Sequence, residues 1–138
     1  MMHGSPEQLP QSSAPEAPVR YKLQGAGRVL RAFVSSARGF RGAFRDEEAF
    51  RQELLFACVA LPLGLWLGHT GVERALLVAP VLLILIVELL NSAIEATVDR
   101  IGLERNVLAG LAKDISSAAV MLSFILLALV WFLVLSGR

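Results

Sequence analysis

Three apolar stretches constrain this chain more than any other feature: residues 54–68, 75–98 and 115–135. A helix needs about 20 mostly apolar residues to cross the hydrocarbon of a bilayer. The second and third stretches reach that length. The first does so when extended back to Ala49, which gives expected spans at about 49–68, 75–98 and 115–135. Composition agrees: of 138 residues, 55% are hydrophobic and 18% charged, against roughly 45–50% and 25% in soluble domains. The length allows a single domain. Cys58 is alone, which excludes a disulfide scaffold. A net charge of +1 argues against a nucleic-acid partner. Neither a G-x-x-x-x-G-K-[ST] loop nor the paired motifs of soluble protein kinases occur.

Residues 1–22 read as a disordered tail, with four of the six prolines (Pro6, Pro10, Pro15, Pro18) interleaved with Ser, Gln and Glu. The tail lacks the apolar and basic regions of a signal peptide. Over residues 23–45 the pattern changes. Val29, Leu30, Phe33, Val34, Ala37, Phe40 and Phe44 recur at helical spacing, opposite Arg28, Arg31, Arg38, Arg41 and Arg45. This is a basic amphipathic helix of the kind that lies in a membrane interface. The excess of Lys and Arg before the first span, and again in the expected polar loop 99–114, orients both towards the cytoplasm. The expected turn 69–74 and the C-terminus then face the other side, and an inner membrane of a bacterium is the expected location.

The chemistry is concentrated in the second span, E-L-L-N-S-A-I-E-A-T-V-D-R over residues 88–100. Steps of seven and eleven residues bring a helix back to nearly the same face, so Glu88, Glu95 and Asp99 form one stripe flanked by Asn91 and Ser92. Glu88 is expected about 16 Å below Asp99, well inside the span. An ionisable group at that depth costs at least ~2.5 kcal/mol without a partner or water, and three carboxylates on one face repel unless a cation or a proton intervenes. Three readings fit this pattern: a polar seam between helices, a proton- or cation-coupled transporter with one coupling Glu, and an active site in which one Glu is a base and another holds a metal. The acidic residues before the first span favour the third. Glu47 and Glu53 are expected near the same interface as Glu95 and Asp99, and carboxylates from two helices suit Mg²⁺ while leaving positions for phosphates. Lys113 and Asp114 add a cation and another acid at that level, with Lys113 able either to neutralise a phosphate or to snorkel to the interface.

The strings E-L-L-N-S-A-I-E-A-T-V-D-R at residues 88–100, A-K-D at residues 112–114 with S-A-A-V behind it, and E-x-A-F-R-Q-E at residues 47–53 resemble the prokaryotic diacylglycerol kinase family, small integral-membrane kinases unrelated to soluble ones. The resemblance covers about residues 28–135. It implies an all-α integral-membrane fold, an amphipathic surface helix followed by three transmembrane helices, assembled as a trimeric helical bundle. It also implies transfer of the γ-phosphate of Mg-ATP to the hydroxyl of diacylglycerol, giving phosphatidic acid. By the resemblance, Glu88 matches the general base, and Glu47 and Glu95 match ligands of Mg²⁺ and ATP. Asn91 and Asp99 match polar residues lining the site. Lys113, Asp114 and Glu104 match nucleotide-binding positions, and Arg28, Gln52, Glu53 and Ser117 match positions near the lipid substrate or the wall of the site. Ser35 stands where the family can carry a nucleotide-contacting aromatic, and Ala37 where it can carry Trp. The stretch 105–111 is less polar than the family loop. A sister branch phosphorylates undecaprenol, and the A-F-R-Q-E string favours the diacylglycerol branch.

The depths on the stripe suit the same division of labour. A lipid hydroxyl waits at the interface while the phosphates stay in the cytosol, and phosphoryl transfer needs an oriented nucleophile and neutralised phosphates. Glu88, the deeper acid, is suited to take the lipid proton, and Glu95, about 10 Å nearer the cytosol, to hold the metal.

Overall fold

A computed structural model describes residues 26–101 and 106–137. The expected tail, the first residues of the expected surface helix and Glu104 lie outside the described residues. Within them, four helices follow one another: α1 (Ala26–Asp46), α2 (Glu48–Leu67), α3 (Gly71–Ile101) and α4 (Val107–Ser136). The last three are each long and apolar enough to cross a membrane. The expected architecture, one amphipathic helix followed by three spans, is therefore what the chain forms.

The apolar face of α1 remains open, with Val29, Leu30, Phe33, Val34, Phe40 and Phe44 exposed, as an interfacial helix requires. The helix ends at Asp46, and a single residue of extended backbone, Glu47 (φ −110°, ψ 117°), separates it from α2. Arg51 of α2 reaches back over this elbow and donates from Nη1 to the carbonyls of Phe44 and Arg45 at 3.2 and 3.1 Å. A cation is favourable at a helix C-terminus, where the last carbonyls lack partners. The rings of Phe40 and Phe50, with centroids 6.2 Å apart, hold the two helices together.

α3 is the central helix and packs on both α2 and α4. In α2 the buried stripe is Phe50, Glu53, Ala57, Ala60 and Gly64, at the three- and four-residue steps that keep one face turned to a neighbour. Against it lie Leu77, Val81 and Ile84 of α3, all buried. Gly64 allows a close approach: a methyl group there meets Leu77 Cβ at 3.2 Å and its backbone carbonyl at 3.5 Å. Small residues at crossing points are how membrane helices gain packing when lipid is as apolar as their side chains. Trp131 of α4 ties the third helix in, its indole Nε1–H donating to Leu77 O at 2.9 Å. Leu55, Trp66, Leu122 and Phe132 are among many large apolar residues left on the outside, the surface expected of spans facing lipid.

Two helix ends fall earlier than the apolar runs suggest. α3 starts at Gly71, because Thr70 Oγ1 accepts from Glu73 N–H at 3.1 Å while the Glu73 carboxylate accepts from His69 N–H at 3.0 Å, a capping exchange that nucleates the helix ahead of its apolar part. α4 starts at Val107, not at Ile115, because Asn106 Oδ1 accepts from the backbone of Leu108 and Ala109 at 2.8 and 3.3 Å. The expected polar loop 99–114 is therefore mostly helix, and Gly110, Lys113 and Asp114 stand on α4.

Candidate active site

Helical periodicity puts Glu88, Glu95 and Asp99 on one side of α3, and their environments grade with depth. Glu88 is 3% exposed. Glu95, two turns on, is half-buried and accepts from Asn91 Nδ2–H at 3.3 Å. Asp99 is exposed and forms an ion pair with Lys113 of α4 at 2.6 Å. From α2, Glu53 joins Glu88 as a buried acid, 7% exposed, and the two charges act on one another. Glu88 is also within electrostatic reach of Glu95 and of Glu47. Glu88 thus interacts with carboxylates from the elbow, from α2 and from its own helix. From sequence, Glu47 and Glu53 are expected at the level of Glu95 and Asp99, with Glu88 deeper; the burial of Glu53 beside Glu88 is not part of that expectation. The signal was present: Glu53 falls in step with Phe50, Ala57 and Ala60 on one face of α2.

A groove of about 460 Å³ opens beside this group, between α1 and α3. Gly39, Phe40 and Ala43 line it from α1, Leu89, Ser92 and Ala96 from α3, with Asp46 and Glu47 at the elbow. Asp46 is held ionised there. The hydrogen bond from Arg45, at 2.7 Å, and the guanidinium charge keep its carboxyl below the usual carboxylate range.

Three polar atoms are shielded from solvent around the acids without a hydrogen-bond partner among the described residues: Glu53 Oε2, Asn91 Oδ1 and Ser92 Oγ. Leaving a buried polar atom unpaired costs about 1–3 kcal/mol, so these three are the atoms near the acids for which a partner is expected. The donor set also suits a divalent metal. Glu47 and Glu95 offer hard carboxylate oxygens from separate elements, the complement that Mg²⁺ takes when phosphates and water complete its shell. Among the described residues there is no cluster of three or more His, Cys, Asp or Glu of the kind that cages a metal by protein alone.

Other expected site residues lie further out. Lys113 is partly exposed and engaged with Asp99, while Asp114 is exposed on the adjoining turn. Arg28 and Ser35 are exposed on α1, Ser117 on α4, and Gln52 on α2, where it donates to Glu48 at 3.2 Å. Among the described residues, no hydrogen bond or ion pair ties these four to the buried acids. Ser92 and the glycines of α1 were not singled out from sequence as binding residues; the G-F-R-G spacing of Gly39 and Gly42 was the available hint.

The family model described as prokaryotic diacylglycerol kinase matches residues 34–135. Curated relatives align over most of their length. A Pseudomonas aeruginosa protein named diacylglycerol kinase is 48% identical over 122 residues, covering 88% of this chain and 99% of the relative. Proteins of the same name are 44% identical in Escherichia coli K12 and 43% identical in Haemophilus influenzae, each over 111 residues. These cover 80% of this chain and 91% and 94% of the relatives.

Proposed function

Because the chain belongs to the prokaryotic diacylglycerol kinase family, we propose that it transfers the γ-phosphate of ATP to the free hydroxyl of 1,2-diacylglycerol, releasing ADP and phosphatidic acid. The observation that carries this reading is the burial of Glu88 beside Glu53, with Glu95 and Glu47 within its electrostatic reach and a groove alongside. A carboxylate at that depth meets a lipid hydroxyl and not a cytosolic one.

Glu88 acts as the general base. It accepts the hydroxyl proton as the lipid oxygen bonds to the γ-phosphorus and the bond from that phosphorus to the β-phosphate oxygen breaks. Such a base typically contributes about 10²–10⁴ in rate. The remaining work is positioning and electrostatics. Asn91 orients the Glu95 carboxylate through its amide, and Lys113 and Asp114 on the first turns of α4 meet the nucleotide, with Glu104. Glu47 and Glu95 would hold Mg²⁺, which when bound neutralises charge on the β- and γ-phosphate oxygens. In this reading Arg28, Gln52 and Ser117 belong near the lipid or to the wall of the site, and Ser35 to the nucleotide side.

The same reading includes a homotrimer, in which a neighbouring subunit would cover Glu95 and Asp99, open within one protomer. It sets the protein in a bacterial inner membrane with α1, the elbow and the α3–α4 connection on the cytoplasmic side. A small proton-coupled transporter would leave the carboxylate at the elbow without a role.

The direct test is an assay of the purified protein in detergent micelles with Mg-ATP and a short-chain diacylglycerol. Lipid-dependent ADP release with formation of phosphatidic acid is expected. No release above background refutes the kinase reading, and far better use of undecaprenol would retain the reaction and replace the acceptor.

A further inference from the structure

α1 receives little support from the rest of the chain. Its sequence carries Gly39 and Gly42, and Ser35 and Ser36 beside Val34, none of them a strong helix former. Asp46, its final residue, is its one acid. No carboxylate therefore complements the first turn, and no acid–base pair three or four residues apart is possible along the helix. The contacts from α2 that hold it all fall in its C-terminal half. They are the Phe40–Phe50 ring pair and the hydrogen bonds from Arg51 to the carbonyls of Phe44 and Arg45. A helix so composed is marginal in water unless an outside surface supports it.

Its arginines describe that surface. Steps of seven residues put Arg31, Arg38 and Arg45 on one stripe, with Arg28 beside Arg31 and Arg41 beside Arg38. Arg45 is paired with Asp46 at 2.7 Å. Arg28, Arg31, Arg38 and Arg41 are exposed and form no ion pair or hydrogen bond among the described residues. Like charges one turn apart repel, so the Arg28–Arg31 and Arg38–Arg41 pairs weaken the helix until anions come between them. Gly42 lies on the stripe between Arg38 and Arg45, and a methyl group there would meet nothing within 4 Å. The space among these guanidiniums is therefore open. The adjoining face carries Val29, Leu30, Phe33, Phe40 and Phe44, all exposed. Such a helix lacks hydrocarbon beneath it and oxyanions beside it, and a charged headgroup layer supplies both. A free phosphate or an acidic protein surface answers the arginines and gives the phenylalanines no hydrocarbon.

We propose that the arginine face of α1 is a docking surface for anionic phospholipids. The phosphates of a net-negative leaflet engage Arg31, Arg38 and Arg41 while the phenylalanine face enters the hydrocarbon, so α1 docks in proportion to the negative charge of the leaflet. Zwitterionic lipid offers the same hydrocarbon without net charge. Attraction to a negative leaflet grows with each basic residue near it and fades within a Debye length. The inference goes beyond the reaction and does not depend on it.

The test uses the full chain with Ala37→Cys, on the apolar face of α1, in a Cys58→Ser background, because Cys58 is itself exposed. A nitroxide at position 37 reports immersion through its accessibility to lipid-soluble oxygen against a water-soluble nickel chelate. The protein is reconstituted in phosphatidylcholine alone and with a third of that lipid replaced by phosphatidylglycerol. The label should shift towards the hydrocarbon as anionic lipid is added, and high salt should reverse the shift. Arg38→Gln with Arg41→Gln should lose most of the response, each arginine being worth about fivefold in the ratio of docked to free helix. Arg38→Lys with Arg41→Lys keeps the charges and should keep the response. A label equally immersed in both bilayers overturns the inference, as does a Gln pair that responds like the parent protein. Equal loss in the Lys and Gln pairs marks a role in the shape of α1 and overturns it too. Inorganic phosphate added to phosphatidylcholine bilayers should leave the label where it was; a shift as large as that with phosphatidylglycerol would assign the arginines to free phosphate and refute docking on lipid.

Discussion

Lys113 Nζ lies 2.6 Å from Asp99 Oδ1, joining the last turns of α3 to the first turns of α4. The lysine expected to meet a phosphate is thus already engaged by an acid of the α3 stripe. The pair is partly open, with side chains 37% and 61% exposed, and such pairs add only about 0–1 kcal/mol to stability. Asp99→Asn should therefore leave the melting temperature in detergent nearly unchanged. Lys113→Ala should raise KM for ATP by about 10- to 100-fold, the range of a hydrogen bond to a charged group. An ATP titration yielding a wild-type KM for Lys113→Ala would assign the lysine to anchoring alone.

Glu88→Gln keeps the shape of the side chain and removes its ability to take a proton. Turnover is expected to fall by at least about 10²-fold, while ATP binding, measured by displacement of a fluorescent nucleotide in the presence of Mg²⁺, persists. A variant retaining more than a tenth of the wild-type rate would rule out Glu88 as the base.

Glu95→Gln and Glu47→Gln are expected to act on metal dependence. Each should shift the Mg²⁺ concentration for half-maximal rate upward by about tenfold or more, since Mg²⁺ bound through one or two carboxylates loses much of its protein share with either. The kinetic signature is partial rescue at high Mg²⁺, which Glu88→Gln should not show. Superimposable metal titrations for wild type and Glu95→Gln would remove Glu95 from the metal site.

Two substitutions at one crossing point separate packing from hydrogen bonding. Trp131→Phe loses the donor to Leu77 O, worth about 0.6 kcal/mol by comparison with other interhelical bonds in membranes. A slight fall in melting temperature with unchanged kinetics is expected. Gly64→Leu drives a side chain into Leu77, whose Cβ a mere methyl would meet at 3.2 Å. That overpacking should cost about 1–3 kcal/mol and lower the melting temperature plainly. Equal effects from the two would show that the crossing is looser than its geometry.

Deleting residues 2–19 should leave lipid kinase activity and melting temperature near wild type, because the segment has too few apolar residues to bury. A large loss in either refutes the expectation of a disordered tail.

The three spans were legible because hydrophobic length reports the thickness of hydrocarbon to be crossed. The same measure misjudged helix ends, since a helix does not stop where the lipid does. Gly110, Lys113 and Asp114 look like loop by polarity, yet they ride on α4 because Asn106 caps it ahead of all three. An Asn directly before an apolar run was a readable start signal. On α3, periodicity alone aligned Glu88 with Glu95 and Asp99. What sequence could not show was which polar atoms would go unpaired. Ser92 and Thr97 are both hydroxyl residues on one helix, and only side-chain orientation and the neighbourhood of α1 distinguish the one that back-bonds from the one that does not.

The single extended residue between α1 and α2 has a mechanical consequence. In the kinase reading, with α1 along the bilayer surface and α2 across it, the two helices share Glu47 as their joint, so this carboxylate would have little slack in height. It would sit where the headgroup layer begins, and the elbow would turn the edge of the membrane into a depth gauge. The vertical distance from that gauge to Glu88 would then be fixed partly by lipid and partly by protein. A thinner or thicker bilayer would change the alignment of nucleotide and acceptor without altering a single side chain.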